Sequence, residues 1–353
     1  MSRRRPSRLH GLLPVFKTAG PTSHDVVDMG RKALHERRVG HTGTLDPMAE
    51  GLLMLCIGQA TRLQRFLMLW EKTYQGTIRL GHATTTYDAE GDAMEPIGEV
   101  PDLARQTLAP LEERFTGQID QVPPPYSAKK VAGKKLYELA RSGQPTTVEP
   151  KTVTVHNLSL HSPAENEVTV EATTSTGFYV RSLAHDVGLE LGCGGHLHHL
   201  RRSTVGPYDL EQAMPQEFLQ EATDPEQIVG HPAWIPIDRI AFPFPAIQLN
   251  RGATDRFIHG QEVVVFMSGD EPLSVDSEVA VRSSSDTLLG VGIVQSVLAR
   301  GRTVGLRPSM VLQTSIRPSE PGSEPRSTVA GKKVPDNVPL PPRHRRIRTE
   351  EET

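Results

Sequence analysis

The chain has 353 residues, 37% of them hydrophobic, with 39 basic and 42 acidic side chains and a formal net charge of −3. That balance fits a soluble globular protein of about two domains and argues mildly against a nucleic-acid partner, which normally leaves a basic footprint. No apolar run approaches the roughly 18 residues of a membrane span, and Met1-Ser2-Arg3-Arg4-Arg5 is not followed by a signal-peptide core, so a cytoplasmic location is expected.

Along the chain, Leu12 to Lys17 reads as an opening strand, and Thr22-Ser23-His24-Asp25 as a capping box for a helix that buries Val26, Ala33 and Leu34. Gly40-His41-Thr42-Gly43-Thr44-Leu45-Asp46-Pro47 is a tight loop in which two glycines open unusual backbone angles and Pro47 restricts Asp46 to an extended conformation. An Asp-Pro pair is also an ordinary turn initiator. The run Gly51 to Gly58 follows as a buried strand that would anchor the loop, and anchored loops are where catalytic groups tend to sit. Thr61 to Leu69 looks helical. In the alternating strand Lys72 to Gly81, Tyr74, Ile78 and Leu80 share the inward face.

Charge is unevenly spread. Acidic residues gather between Asp88 and Glu99, whereas Lys129, Lys130, Lys134 and Lys135 form a basic cluster, followed later by Arg201 and Arg202 and by a basic tail. The lysines belong to a proline-led segment, 123 to 150, that reads as an inserted arm suited to a polyanion, with a helix from Leu136 to Ser142. Strands at Thr152 to His161 and Glu167 to Thr173 belong to one large mixed sheet. Gly177 then turns the chain into a helix with Val180, Leu183, Ala184, Val187 and Leu191 at helical spacing. Arg181 falls in its first turn, where the helix dipole disfavours a cation, so an anionic partner is expected; Asp46 is a fitting one. His196, His198 and His199 follow a glycine turn without a fourth ligand and are not read as a metal site. Cys56 and Cys193, in apolar or glycine-rich surroundings, are read as core thiols.

After Phe242-Pro243-Phe244-Pro245, a short helix and four short strands (Val263 to Phe266, Val279 to Val281, Leu289 to Val294, Thr303 to Pro308) suggest a small β-barrel. Residues 317 to 353, rich in Pro, Ser, Glu and Arg, have a disordered composition.

Five ordered stretches carry a family resemblance: Gly40 to Pro47 with Ala49 to Leu53; Lys72-Thr73-Tyr74; Pro124 to Lys130; Gly177 to Leu183; and His199 to Tyr208. Together they resemble the TruB family of tRNA pseudouridine synthases over roughly residues 11 to 210. One departure is Phe16-Lys17-Thr18 where the family usually shows Asp-Lys-Pro. The resemblance implies an α+β pseudouridine synthase fold, a large mixed and mainly antiparallel sheet flanked by helices, in residues 1 to 243. The C-terminal barrel, 246 to 316, is similar to a PUA domain.

The implied function is that of an isomerase converting uridine 55 in the TΨC loop of tRNA to pseudouridine, with no metal or organic cofactor. The implied catalytic set is Asp46, as nucleophile or as base on the ribose, with Arg181 holding it ionised and Tyr74 stacking on the base and implicated in removing its C5 proton. His41 would fill the space left by the flipped base, Tyr179 and Leu200 would line the uracil pocket, and Lys17, Lys129 and Lys130 would meet phosphates. The expected partner is the TΨC arm of tRNA; no membrane and no obligatory protein partner are expected, and the protein is expected to be a monomer. Two other readings are a tRNA-folding or RNA-binding protein with a decayed site, and a synthase subunit directed by a guide RNA.

Overall fold

A computed structural model describes residues 9–127, 130–131, 134–135, 148–266, 273–298 and 303–312. Lys129, the side chain of Lys130, the expected helix at 136 to 142 and the tail from 317 lie outside the described residues.

The chain opens with β1 (Gly11–Lys17) and α1 (Ser23–Ala33). Thr22 and Asp25 cap α1 reciprocally, each side chain bonding the other's backbone N–H, which satisfies donors that a first helical turn leaves open. Then come β2 (Val39–His41) and β3 (Glu50–Ile57), whose residues from Gly51 to Ile57 are all buried. Between Gly58 and Leu67 the expected helix is only a 3-10 turn and the four-residue α2 (Gln64–Leu67). The strands β4 (Lys72–Leu80), β5 (His82–Thr84) and β6 (Ala93–Ile97) lead to α3 (Arg105–Phe115) and β7 (Gly117–Gln121). A small hairpin, β8 (Lys130–Val131) and β9 (Lys134–Lys135), precedes the long antiparallel pair β10 (Lys151–Ala164) and β11 (Glu167–Thr174). Helix α4 (Val180–Glu190), β12 (Gly195–Val205), β13 (Tyr208–Asp209) and β14 (Met214–Pro215) follow. Two short helices, α5 (Gln216–Glu221) and α6 (Pro225–Val229), and β15 (Ile235–Pro236) complete the first part.

These strands form one large sheet in the order β14-β1-β3-β12-β4-β11-β10-β7, with β2 added on β3, β13 on β12 and β15 on β1. Only β1 with β14 and β3 with β12 run parallel. In β4 the even-numbered residues from Lys72 to Leu80 are buried and the odd ones more exposed, as the sequence alternation requires. Helices α1, α3 and α4 cover the buried face through Val26, Leu108, Leu111, Leu183 and Val187, in one core with Ile78, Val168, Val170 and Leu197.

The C-terminal part contains β16 (Ala246–Leu249), α7 (Arg251–Ile258), β17 (Val263–Phe266), β18 (Glu278–Ser283), β19 (Leu288–Leu298) and β20 (Thr303–Val311). Asn250 caps α7 by accepting from the Ala253 N–H. Its five strands are ordered β16-β18-β19-β20-β17. Among the described residues the end strands β16 and β17 do not pair, so the sheet is a curled half-barrel rather than a closed one.

This sheet is not tethered by the proline-rich link alone. Leu12, Met54, Phe66, Trp70 and Tyr208 of the first part share a buried cluster with Val291, Met310 and Leu312, and Phe242 and Phe244 of the link pack against it. Phe66 and Phe244 meet edge to face, with ring centroids 5.9 Å apart. At its rim Arg62 donates to the Val311 carbonyl at 2.7 Å and Arg65 to the Ser309 hydroxyl at 2.9 Å. Truncation of a core phenylalanine typically costs about 3–5 kcal/mol. Phe66, 1% exposed, lies at the seam, so Phe66→Ala is expected to lower the denaturant midpoint by that amount of stability. Both sheets should still unfold in one transition, monitored by near- and far-UV circular dichroism; separate transitions would contradict the shared core.

Candidate active site

An irregular loop has no ladder to occupy its carbonyl oxygens, so those turned inward need a donor from elsewhere. Residues 43 to 49 receive them from buried side chains. Arg202 on β12 donates to the Gly43 and Thr44 carbonyls at 3.2 and 3.4 Å. The Ser23 hydroxyl, at the start of α1, donates to the Leu45 carbonyl at 2.9 Å and accepts from the Leu45 N–H at 2.8 Å. Lys17, at the end of β1, reaches the carbonyls of Asp46, Pro47 and Ala49 at 3.1, 3.2 and 2.6 Å. The loop that carries Asp46 is therefore fixed by three elements distant in sequence.

Lys17 thereby departs from the phosphate contact expected of it. It is 0% exposed, and its amine is enclosed by backbone oxygens, so its task is to hold the loop. Lys72 is a second buried amine, donating to the Met68 and Trp70 carbonyls. Burial pulls both amines down to about 8, which leaves them mostly ammonium at neutral pH.

Arg181 projects from the first turn of α4 and is 5% exposed. It meets two carboxylates. Its Nη2 donates to Asp46 Oδ1 at 3.2 Å, and its Nε lies 2.9 Å from Asp46 Oδ2 with the N–H off line, so one aligned hydrogen bond and charge attraction carry the pair. Its Nη1 lies 3.2 Å from Asp88 Oδ2 and also donates to the Thr86 carbonyl, while Nη2 reaches the Tyr126 carbonyl at 3.0 Å. The anion demanded by a cation at a helix N-terminus is thus supplied twice. Asp88, 3% exposed, is itself held by the Thr86 hydroxyl at 2.5 Å and the Glu90 N–H at 3.1 Å. The Asp46 side chain keeps 33% of its surface exposed, so one carboxylate is buried for structure and the other faces outward.

Tyr74 and Leu200 lie on adjacent strands, 9% and 5% exposed, and belong to the same core cluster. Tyr179 precedes α4, where Gln121 brackets its backbone: Gln121 Oε1 accepts from the Tyr179 N–H at 2.7 Å and Nε2 donates to its carbonyl at 3.0 Å. Burial pushes the Tyr179 phenol up, so it stays protonated, and it lies within electrostatic reach of Arg181 and Asp46. His41 ends β2 with its carbonyl held by Gln64 at 2.6 Å and its Nδ1 accepting from the Gly43 N–H at 3.3 Å. Burial and the charge of Arg202 lower its pKa, leaving a neutral aromatic ring beside the loop. Asp46, Arg181 and Asp88 thus form one charged group, with Tyr179 in electrostatic reach of its first two members, and Arg202 in reach of Asp46, Tyr74 and His41; Leu200 joins them only through the strand beside Tyr74. Asp88 stands in an unpatterned acidic stretch, and nothing in its spacing points to Arg181.

A charged hydrogen-bond donor that serves buried acceptors is worth about 1.5–3 kcal/mol. Lys17→Met, close in length but without donors, is expected to cost at least that in stability and to raise exchange of loop amides such as Thr42 and Leu45. Unchanged exchange there would show that the loop does not depend on Lys17.

A family profile described as "TruB family pseudouridylate synthase (N terminal domain)" matches residues 31–180, and one described as "tRNA pseudouridylate synthase B C-terminal domain" matches residues 181–232. The chain is 43% identical over 300 residues to the tRNA pseudouridine synthase B of Burkholderia mallei, covering 84% of this chain and 97% of that protein. It is 39% identical over 319 residues to the protein of the same name from Cupriavidus metallidurans, covering 88% and 98%. Among solved structures it is similar to a Cbf5-Nop10-Gar1 complex, with a TM-score of 0.65 at 24% identity over 85% of this chain and 84% of that one, a likeness of fold. On the matched profiles and the near full-length identity, the chain belongs to the TruB family of pseudouridine synthases.

Proposed function

We propose that the protein isomerises uridine 55 in the TΨC arm of tRNA to pseudouridine, acting on tRNA alone as a monomer without metal or organic cofactor. The coarser part, pseudouridine synthesis on tRNA, is supported by family membership and by relatives named tRNA pseudouridine synthase B. The observation that carries the mechanism is the half-open Asp46 carboxylate held on the buried Arg181 guanidinium.

The reaction breaks the bond from C1′ to N1, turns the base and joins C1′ to C5, leaving the oxidation level unchanged. It needs a carboxylate beside the sugar, acting as nucleophile on C1′ or as base on a ribose proton, and Asp46 suits either task. Arg181 pairs with and orients that carboxylate, while Asp88 keeps the arginine from turning toward Asp46 alone. A uridine within a folded loop must leave its stack, at about a few kcal/mol, before its C1′ can be reached. The neutral ring of His41 occupies the vacated position, and Tyr74, Tyr179 and Leu200 enclose the extruded base. Tyr74 lies under the base to receive its C5 proton. Lys129 and Lys130, with the rest of the basic arm, bind phosphates, and the C-terminal half-barrel serves as a PUA-like contact to RNA.

Tritium release from tRNA labelled at C5 of uridine, without guide RNA or partner protein, tests this reading, with the product located by carbodiimide mapping. Release is expected at position 55 alone. Asp46→Asn should slow it by at least about 1,000-fold, the scale of a lost acid–base or covalent group. Undiminished release by that variant, or a modified site other than 55, would overturn the assignment.

A further inference from the structure

Arg202 is among the largest fully buried side chains of the described residues, and its donors end on oxygens that are not carboxylates. Nε donates to the Leu52 carbonyl at 2.8 Å and the two Nη atoms to the Thr44 and Gly43 carbonyls, while the Tyr74 side chain lies within interaction range of the guanidinium. A buried cation is expensive to desolvate, and Asp46, although within electrostatic reach, accepts none of these hydrogen bonds. Leu52, Thr44 and Gly43 explain where its hydrogen bonds go, but neutral donors could serve those carbonyls; a full positive charge against a phenol calls for a different explanation.

The backbone brings the two side chains together. Arg202 stands directly opposite Tyr74 in the antiparallel register of β12 and β4, so both side chains share one face. On its other side Arg202 pairs with Gly51 of β3, at φ +112°, where a Cβ would come within 2.3 Å of the Arg202 carbonyl oxygen. A bulge follows at once, between Arg202 and Thr204, of the kind that re-aims a side chain. One guanidinium therefore holds the Asp46 loop and stands beside Tyr74.

We propose that Arg202 is a positioning residue for the C5 proton transfer: it stabilises the negative charge of a Tyr74 phenolate while it fixes the loop that presents Asp46. This rests on the proposed pseudouridine synthase reading. Tyr74 gives its hydroxyl proton to water, and the phenolate takes the proton from C5 of the reattached base. The C5–H electron pair closes the C5–C6 double bond, the former C6–N1 π pair moves to N1, and N1 takes a proton from water. No oxidant or other reactant is consumed. A charge-assisted hydrogen bond is the interaction that strengthens as the phenolate forms.

The test compares turnover of tRNA carrying hydrogen or deuterium at C5 of the target uridine, using the full-length chain and its Arg202→Lys, Arg202→Met and Tyr74→Phe variants. In Arg202→Met, kcat should fall by about 100-fold, the lower scale for a proton-transfer group, with KM little changed. A primary deuterium effect absent from the wild type should appear, and Arg202→Lys, which retains a cation, should recover part of the rate. If Arg202 only holds the loop, the slowed step is cleavage at C1′, before C5 is touched, and the variants would be slow without an isotope effect; that result overturns the proposal. Should the arginine variants fail to fold, Tyr74→Phe, which keeps Arg202, decides alone: it too should reveal the isotope effect, and its absence overturns the proposal. No C5 hydrogen release by the wild type would instead sink the functional reading.

Discussion

The carbonyl oxygens of the loop from Gly43 to Ala49 are held by charged or hydroxyl donors that arrive from β1, α1 and β12. The arrangement solves two costs at once. The loop needs partners for its buried acceptors, and Lys17 and Arg202 need oxygens around their buried charge. Neither set would be stable without the other, so the Asp46 carboxylate is placed by the elements around it rather than by its own turn. An Asp-Pro turn by itself would leave such a loop free to drift, and a drift of about 1 Å matters for group placement at a reacting centre.

The same sheet sets the geometry on the other side of Asp46. Helix α4 begins at Val180, between Tyr179 and Arg181, and Gln121 at the far edge of the sheet fixes the backbone there. Arg181 then reaches across to the loop and to Asp88, whose segment is tied back to β12 through the bridge from Asp88 to Leu197. Two carboxylates on one guanidinium hold it in place from two directions, and only Asp46 retains substantial exposure. Remote packing supports this too: the half-barrel is joined through Phe66 and Trp70, a few residues before β4 and the Tyr74 it carries.

Local patterns were legible where one residue's chemistry forces one structure. The reciprocal cap of Thr22 and Asp25, the alternation of β4, the glycine turn into α4 and the placing of a cation at that helix start all read directly from the sequence, and the structure has each of them. The helix expected at Thr61 to Leu69 shrank to one turn, because its apolar positions Leu63, Phe66 and Leu67 are buried by the half-barrel seam without needing a longer helix. Lys17 was misread as a phosphate contact, since a lysine after a strand looks the same in sequence whether its amine meets solvent or a ring of carbonyls.

By itself the sequence determined the α+β class, many of the main strands and helices and the family, along with Asp46, Tyr74 and Arg181 as a candidate set, because these follow from periodicity, turn chemistry and ordered motifs. Only the tertiary structure decided that Asp88 shares Arg181, that Lys17 and Arg202 clamp the Asp46 loop, and that Arg202 faces Tyr74 across two strands. Those pairings join residues 29 to 159 positions apart. Strand register and burial create them, and neither is written in the spacing of any one motif.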